Sequence, residues 1–183
     1  SRGALAWLGL PAGSIIEEPE ARGTGPALAL AVGLIARDDR EALIASVHAE
    51  HRVSDRDAYR AAVLASAGWA ASTDGLCTVG LVPAAPVTGF GYIEVGEARD
   101  PNLWHAPVGC PPETAAAAAL LPAFASAGFT ERPSATVAQG YVAGGRPPWE
   151  LGPFARTARR FHTDTPARAR GRARATHDGA RGP

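Results

Sequence analysis

Apolar positions along this chain come in short, separated runs whose spacing changes from one run to the next. Ser14 to Glu18 (SIIEE) reads as a short strand stopped by Pro19. In ARGTGPALALAVGLIARDD, Thr24 is placed to cap a helix, Pro26 suits its first turn, and apolar residues fill nearly every position to Ala36. A helix apolar on all sides is expected to be buried. Ala42 to Val47 (ALIASV) is continuously apolar and strand-length, the pattern of a parallel sheet covered on both faces. Ser54 and Asp57 have capping-box character and predict a helix to about Ala70; Leu76 to Val82 and Tyr92 to Val95 give two more strands. This alternation predicts an α/β domain built on a Rossmann-like, mostly parallel sheet.

Beyond residue 98 the pattern loosens. PNLWHAPVGCPP reads as a loop, and ETAAAAALLPAFASAG as a helix interrupted at Pro122. Gly128 to Arg132 (GFTER) is strand-like and closed by Pro133, with a short helix over residues 135–143. From about Ala155 the chain has almost nothing apolar to bury, so residues 155–183 are expected to form a disordered tail behind a domain spanning 1–154. No internal repeat is visible. In VTGFGYIEVG, Gly89 and Gly91 flank Phe90 just ahead of a strand. Such glycines mark either a bulge or a place where something polar approaches the main chain.

Composition narrows the class. The chain has 183 residues, 46% of them apolar, enough for one sizeable core. The apolar run Pro26–Ala36 is well short of the ~20 residues a membrane-spanning helix needs, and no secretion signal is expected. Cys77 and Cys110 have no metal-site spacing around them and read as small hydrophobes of a cytoplasmic protein. All 18 basic residues are arginine, and the formal net charge is zero. That zero hides an asymmetry: residues 151–183 hold eight arginines against Asp164 and Asp178, a net +6, so residues 1–150 carry −6. A basic tail raises nucleic-acid binding as a function, but without aromatic interleaving beyond Phe161 the tail makes it an unfavoured one. Methionine is absent and the first residue is serine, which suggests a start that is missing or processed.

Four segments in order resemble the sugar-1-phosphate nucleotidyltransferases, and most closely the bacterial mannose-1-phosphate guanylyltransferases. They are EEPEARGTGPALALA, SVHAEHRVSDRDAYRAA, TVGLVPAAPVTGFGYIEVGE and FTERPSATVAQGYVAGGRPPWELGPF. The resemblance implies a GT-A-like nucleotidyltransferase sheet, incomplete at its N-terminus because no Gly-x-Gly-x-x-Leu-like phosphate loop precedes these segments. It implies transfer of a guanylyl group from GTP to mannose 1-phosphate, giving GDP-mannose and pyrophosphate, with Mg²⁺ bridging the phosphates. A different sugar phosphate or nucleotide is the alternative within the same class. The missing loop carries much of the charge neutralisation, so low or absent turnover is expected.

By the same likeness, Glu18, Pro19, Thr24 and Gly25 would lie near the guanine base, Gly89 and Gly91 beside the sugar, and Glu131 on its hydroxyls. Glu50 and Arg132 become the catalytic candidates, Glu50 as metal ligand and Arg132 on phosphate; Glu150 would sit near the sugar. Four positions depart from the family pattern. Glu50 replaces an aspartate, moving its carboxylate by about a bond length from where magnesium's octahedral shell wants it. Glu150 replaces an asparagine and adds repulsion beside a phosphorylated ligand. Arg132 replaces a lysine, exchanging a point charge for a fork, and Phe90 replaces a tyrosine. Read without the likeness, RGTGPA is an ordinary helix start, and His48, Glu50 and His51 do not make a zinc motif. Oligomeric state is not legible.

Overall fold

In the computed structural model of the chain, the residues described are 9, 12–18, 20–49, 52–83, 85–144 and 149–164; for 12, 149–152 and 162–164 this extends to the backbone alone. The chain divides into two compact units, Ser1–Ala42 with Ala158–Pro183, and Leu43–Thr157.

The first unit is built on helix α1 (Thr24–Asp38). Thr24 does not cap it. Gly23 holds the cap position at φ 88°, a conformation glycine adopts at little cost, and no side chain bonds the first turn. Ala29, Leu30 and Val32 are buried while Ile35 is exposed, so the helix is buried on one face and not all round. SIIEE is not a strand: a single 3-10 turn, Ala12–Ser14, precedes residues without regular structure. Helix α5 (Ala158–Asp164), which follows the second unit in the chain, packs on α1. It is fastened by Ala158 N–H to the Ala42 carbonyl (2.9 Å), Arg159 N–H to the Arg40 carbonyl (2.8 Å) and an Arg159–Glu41 ion pair (3.0 Å).

The second unit is a five-stranded sheet: β1 (Leu43–Ser46), β2 (Cys77–Leu81), β3 (Gly91–Ala98), β4 (Phe124–Glu131) and β5 (Trp149–Thr157). Between the strands run α2 (Arg56–Thr73), α3 (Pro112–Ala119) and α4 (Ala135–Gly144). The α/β class stands, but the mostly parallel pairing does not. Every recorded ladder is antiparallel: β1–β5, β2–β5, β3–β4 and β3–β5. Because β1, β2 and β3 each run against β5, they share one direction, as strand–helix–strand alternation demands. They are separated by a strand from far downstream: Ala155 pairs with Ala45 on one side and Cys77 on the other.

The boundary expected at 154/155 therefore falls inside β5, and residues 158–164 are helical, not a tail. Ala155, paired on both sides, and Thr157, paired with Leu43, are small buried residues, so the segment belongs to the sheet with little hydrophobic signal. Residues 165–183 lie outside the described part. β4 also begins four residues before the expected strand: the helix over ETAAAAA stops at Ala119, and pairing with β3 makes FASAGFTE extended.

Helix α2 packs over β5 through alanines. Ala67, Ala70 and Ala155 form a buried cluster, with Leu43 and Cys77 against it. Asp55, one residue after the expected cap, closes the helix start by accepting from the N–H groups of Asp57 (3.1 Å) and Ala58 (2.9 Å). Burial raises the Cys77 thiol pKa and so favours the protonated thiol, partly offset by a Thr73 hydrogen bond and the charge of Arg99. No helix among the described residues is long and apolar enough to cross a membrane.

Candidate functional site

In the second unit, the glycine-flanked segment and the Glu-Arg-Pro segment meet at one end of the β3–β4 pair. Gly91 lies directly opposite Glu131 in the antiparallel register, and Phe129 sits diagonally across from it. Side chains of directly opposed residues share a face, so the Gly91 position is roofed by two neighbours. A Cβ there would stand 2.5 Å from Phe129 Cζ and 3.0 Å from the Glu131 carboxylate. This explains why position 91 carries no side chain. Gly89 is different: nothing comes within 4 Å of a Cβ there, so sterics make no demand for glycine at 89.

The ladder runs one step past β4, where Arg132 N–H donates to the Phe90 carbonyl at 3.2 Å. Arg132 takes a left-handed conformation, φ 45°, uncommon for a side-chain-bearing residue and disfavoured again before Pro133. Backbone strain of this kind, of order 1–3 kcal/mol, persists only where neighbours fix it. Here the Phe90 hydrogen bond and the burial of Pro133 do so. The Arg132 guanidinium remains largely solvent-exposed and makes a long ion pair with Glu131 (Nε–Oε1 3.6 Å). An exposed pair at that distance is weak, so both groups can exchange each other for a charged or hydroxylated ligand at small cost. The Glu131 carboxylate and the half-exposed Phe129 ring thus flank Gly91, and the Arg132 guanidinium lies against that carboxylate.

Of the other candidates, Glu18, Thr24 and Gly25 belong to the first unit and are exposed. Thr24 and Gly25 form the uncapped first turn of α1, whose N–H groups and positive dipole end suit an anion or a polar base. Pro19 and Glu50 lie outside the described residues, and Glu150 is described only as a backbone position of β5, opposite Gly80. Among the described residues no three histidine, cysteine, aspartate or glutamate side chains come together to hold a metal. Sequence reasoning missed Phe129 and Tyr92; the one available signal was that a tyrosine in an apolar strand must find a partner for its hydroxyl.

The chain matches the nucleotidyl transferase family over residues 11–166. It belongs to that family. Mannose-1-phosphate guanylyltransferase of Escherichia coli K12 is 37% identical over 150 residues, covering 81% of this chain and 28% of that protein. Xanthan biosynthesis protein XanB of Xanthomonas campestris pv. campestris is 33% identical over 157 residues, covering 86% and 29%. This nucleotidyl transferase chain therefore spans under a third of the length of these relatives. A crystal structure from Thermus thermophilus, described as a mannose-1-phosphate geranyltransferase, superposes with TM-score 0.69 at 24% identity, covering all of this chain and 47% of that one. At that identity the likeness speaks for the fold, which it places among nucleotidyltransferase-type sheets.

The roofed glycine gives a direct test of the packing around it. Gly91→Ala is expected to destabilise the protein by about 1–3 kcal/mol, because the added methyl must push the Phe129 ring outward. Gly89→Ala, with open space around it, should change stability by no more than a few tenths. Urea melts of both variants make the comparison, and equal midpoints would contradict the close contact at Gly91.

Proposed function

We propose that this chain forms part of a guanylyltransferase that joins the guanylyl group of GTP to mannose 1-phosphate. In that reaction a phosphate oxygen of the sugar phosphate attacks the α-phosphorus of GTP. The bond from the α-phosphorus to the bridging oxygen breaks, and pyrophosphate leaves with the electron pair. The protein's task is to position two anions and offset their repulsion.

The observation that carries the reading is the convergence of Gly91, Glu131 and Arg132 at one strand end, in a chain 37% identical to a guanylyltransferase. Glu131 offers a carboxylate to accept from sugar hydroxyls, Arg132 a fork for the sugar's phosphate, and the Gly89–Gly91 stretch its main chain. At α1, the free N–H groups of Thr24 and Gly25, with Glu18 and Pro19 nearby in sequence, are assigned to the nucleotide base. Magnesium held by Glu50, and a contribution of Glu150 beside the sugar, belong to the same proposal. When bound, the metal would supply charge neutralisation on the phosphates. Two free cysteines and nucleotide substrates suit a cytoplasmic setting.

Thermal-shift titrations with GTP, ATP, UTP and dTTP, each with mannose 1-phosphate or glucose 1-phosphate and with or without magnesium, test the assignment. GTP and mannose 1-phosphate together should raise the melting temperature most, by roughly RT ln(1 + [L]/Kd) of stabilisation for each ligand. A larger shift with another pair would keep the class and change the substrates. No shift with any pair would remove the function from this chain.

A further inference from the structure

We propose that the Tyr92 hydroxyl holds the Val87–Gly91 loop in the shape that receives the sugar phosphate, a positioning role that rests on the reading of that loop just given. Tyr92 is fully buried, on the face of β3 opposite to the one carrying Gly91. Its Oη reaches back five residues, donating to the Val87 carbonyl at 2.9 Å and accepting from the Val87 N–H at 3.1 Å. That N–H is shared with the Ala85 carbonyl at 3.0 Å. One hydroxyl thus engages both main-chain groups of one loop residue, as a neighbouring strand would.

The ring itself is fixed from behind. It packs against Tyr141 of α4 with centroids 5.2 Å apart and planes tilted by 32°. The Tyr141 hydroxyl is in turn bonded to Thr130 Oγ1 at 3.0 Å, and Thr130 is the register partner of Tyr92. At the loop's other end, Phe90 accepts from Arg132 N–H at 3.2 Å. The loop is therefore tied at Val87 and at Phe90, with Thr88 and Gly89 exposed between the ties. A loop already held in its binding shape spares the ligand the entropy of ordering it, and the ties come from a helix and two strands, the rigid parts of the unit.

Tyr92→Phe keeps the ring and removes the hydroxyl that makes the tie. Tyr141→Phe removes a hydroxyl from the same aromatic pair without touching Val87, and so reports any general loosening. Amide exchange at Val87, whose N–H the Tyr92 hydroxyl accepts from, should be about tenfold faster in Tyr92→Phe than in the parent and unchanged in Tyr141→Phe. Mannose 1-phosphate should bind Tyr92→Phe about five- to tenfold more weakly, while GTP binds as before. Unchanged exchange in Tyr92→Phe, or equal weakening of both ligands, would overturn the proposal. A parent protein that binds GTP or another nucleotide but no mannose 1-phosphate would overturn the sugar assignment and the ligand half of this proposal. The exchange comparison would then still decide whether Tyr92 ties the loop.

Discussion

A chain ending at Phe154 is expected not to fold. If residues 155–183 were a solvated appendage, removing them would leave the melting curve unchanged. The sheet says otherwise. Deleting Ala155, Arg156 and Thr157 strips β1 of its partners for Ala45, Ile44 and Leu43, leaving only Ser46 opposite Phe154. The same cut removes the partner of Cys77 on β2 and the buried alanine on which Ala67 and Ala70 rest. It also removes the Thr157 hydroxyl that donates to Asp74 (3.2 Å) at the left-handed end of α2. A domain's net stability is only about 5–15 kcal/mol, and loss of the end of β5 that pairs with both β1 and β2 consumes most or all of it. Far-UV circular dichroism and thermal melting settle the point. A truncated chain that melted cooperatively near the parent's temperature would mean that the last three residues of β5 are dispensable.

The second large effect runs against helix propensity. Gly68 lies inside α2, where alanine ordinarily adds about 1 kcal/mol. Here Gly68→Ala should instead cost roughly 2–4 kcal/mol, lowering the melting temperature by roughly 5–15 °C. A Cβ at 68 would fall 2.2 Å from Trp104 Nε1 and 2.6 Å from the His105 carbonyl. The indole is not free to move aside, since its N–H donates to the Ala65 carbonyl at 3.0 Å, and His105 N–H is held by Ser72 Oγ at 3.2 Å. The contrast with Gly91 is instructive. There the obstacle is the far edge of a half-exposed ring; here it includes main chain. Calorimetry on Gly68→Ala decides it, and a variant as stable as the parent would show that the indole does not lie on the helix.

How much of this was legible depended on whether burial left a hydrophobic trace. Leu43–Ser46 and Cys77–Leu81 announce themselves as apolar runs, and their common direction follows from the helix between them. β5 does not, because its buried positions among the described side chains are Pro153, Ala155 and Thr157, with Arg156 between the last two and Arg159 and Arg160 just beyond. Small residues fit where a helix of alanines presses close, and small residues carry little signal. FASAG likewise reads as a continuation of the alanine helix; only its ladder with β3 makes it extended. Around the site, the Gly-Phe-Gly and Glu-Arg-Pro segments stood out, but not that Gly91 and Glu131 face each other, since register is a property of the fold. The role of Tyr92 was hidden for the same reason: it depends on where one oxygen ends up. The likeness to a family located the segments, and the geometry of β3 and β4 gave two of them a common place.

The position of β5 also bears on how the protein comes to be folded. Among the described residues, Leu43 pairs with Thr157 and Ala45 with Ala155. During synthesis the first two strands must therefore leave the ribosome with open edges and wait for nearly all of the second unit to follow. High contact order of this kind slows folding and prolongs the exposure of sticky intermediates. Yield in a heterologous host should accordingly respond to chaperone supply and low growth temperature more than to any change at the surface.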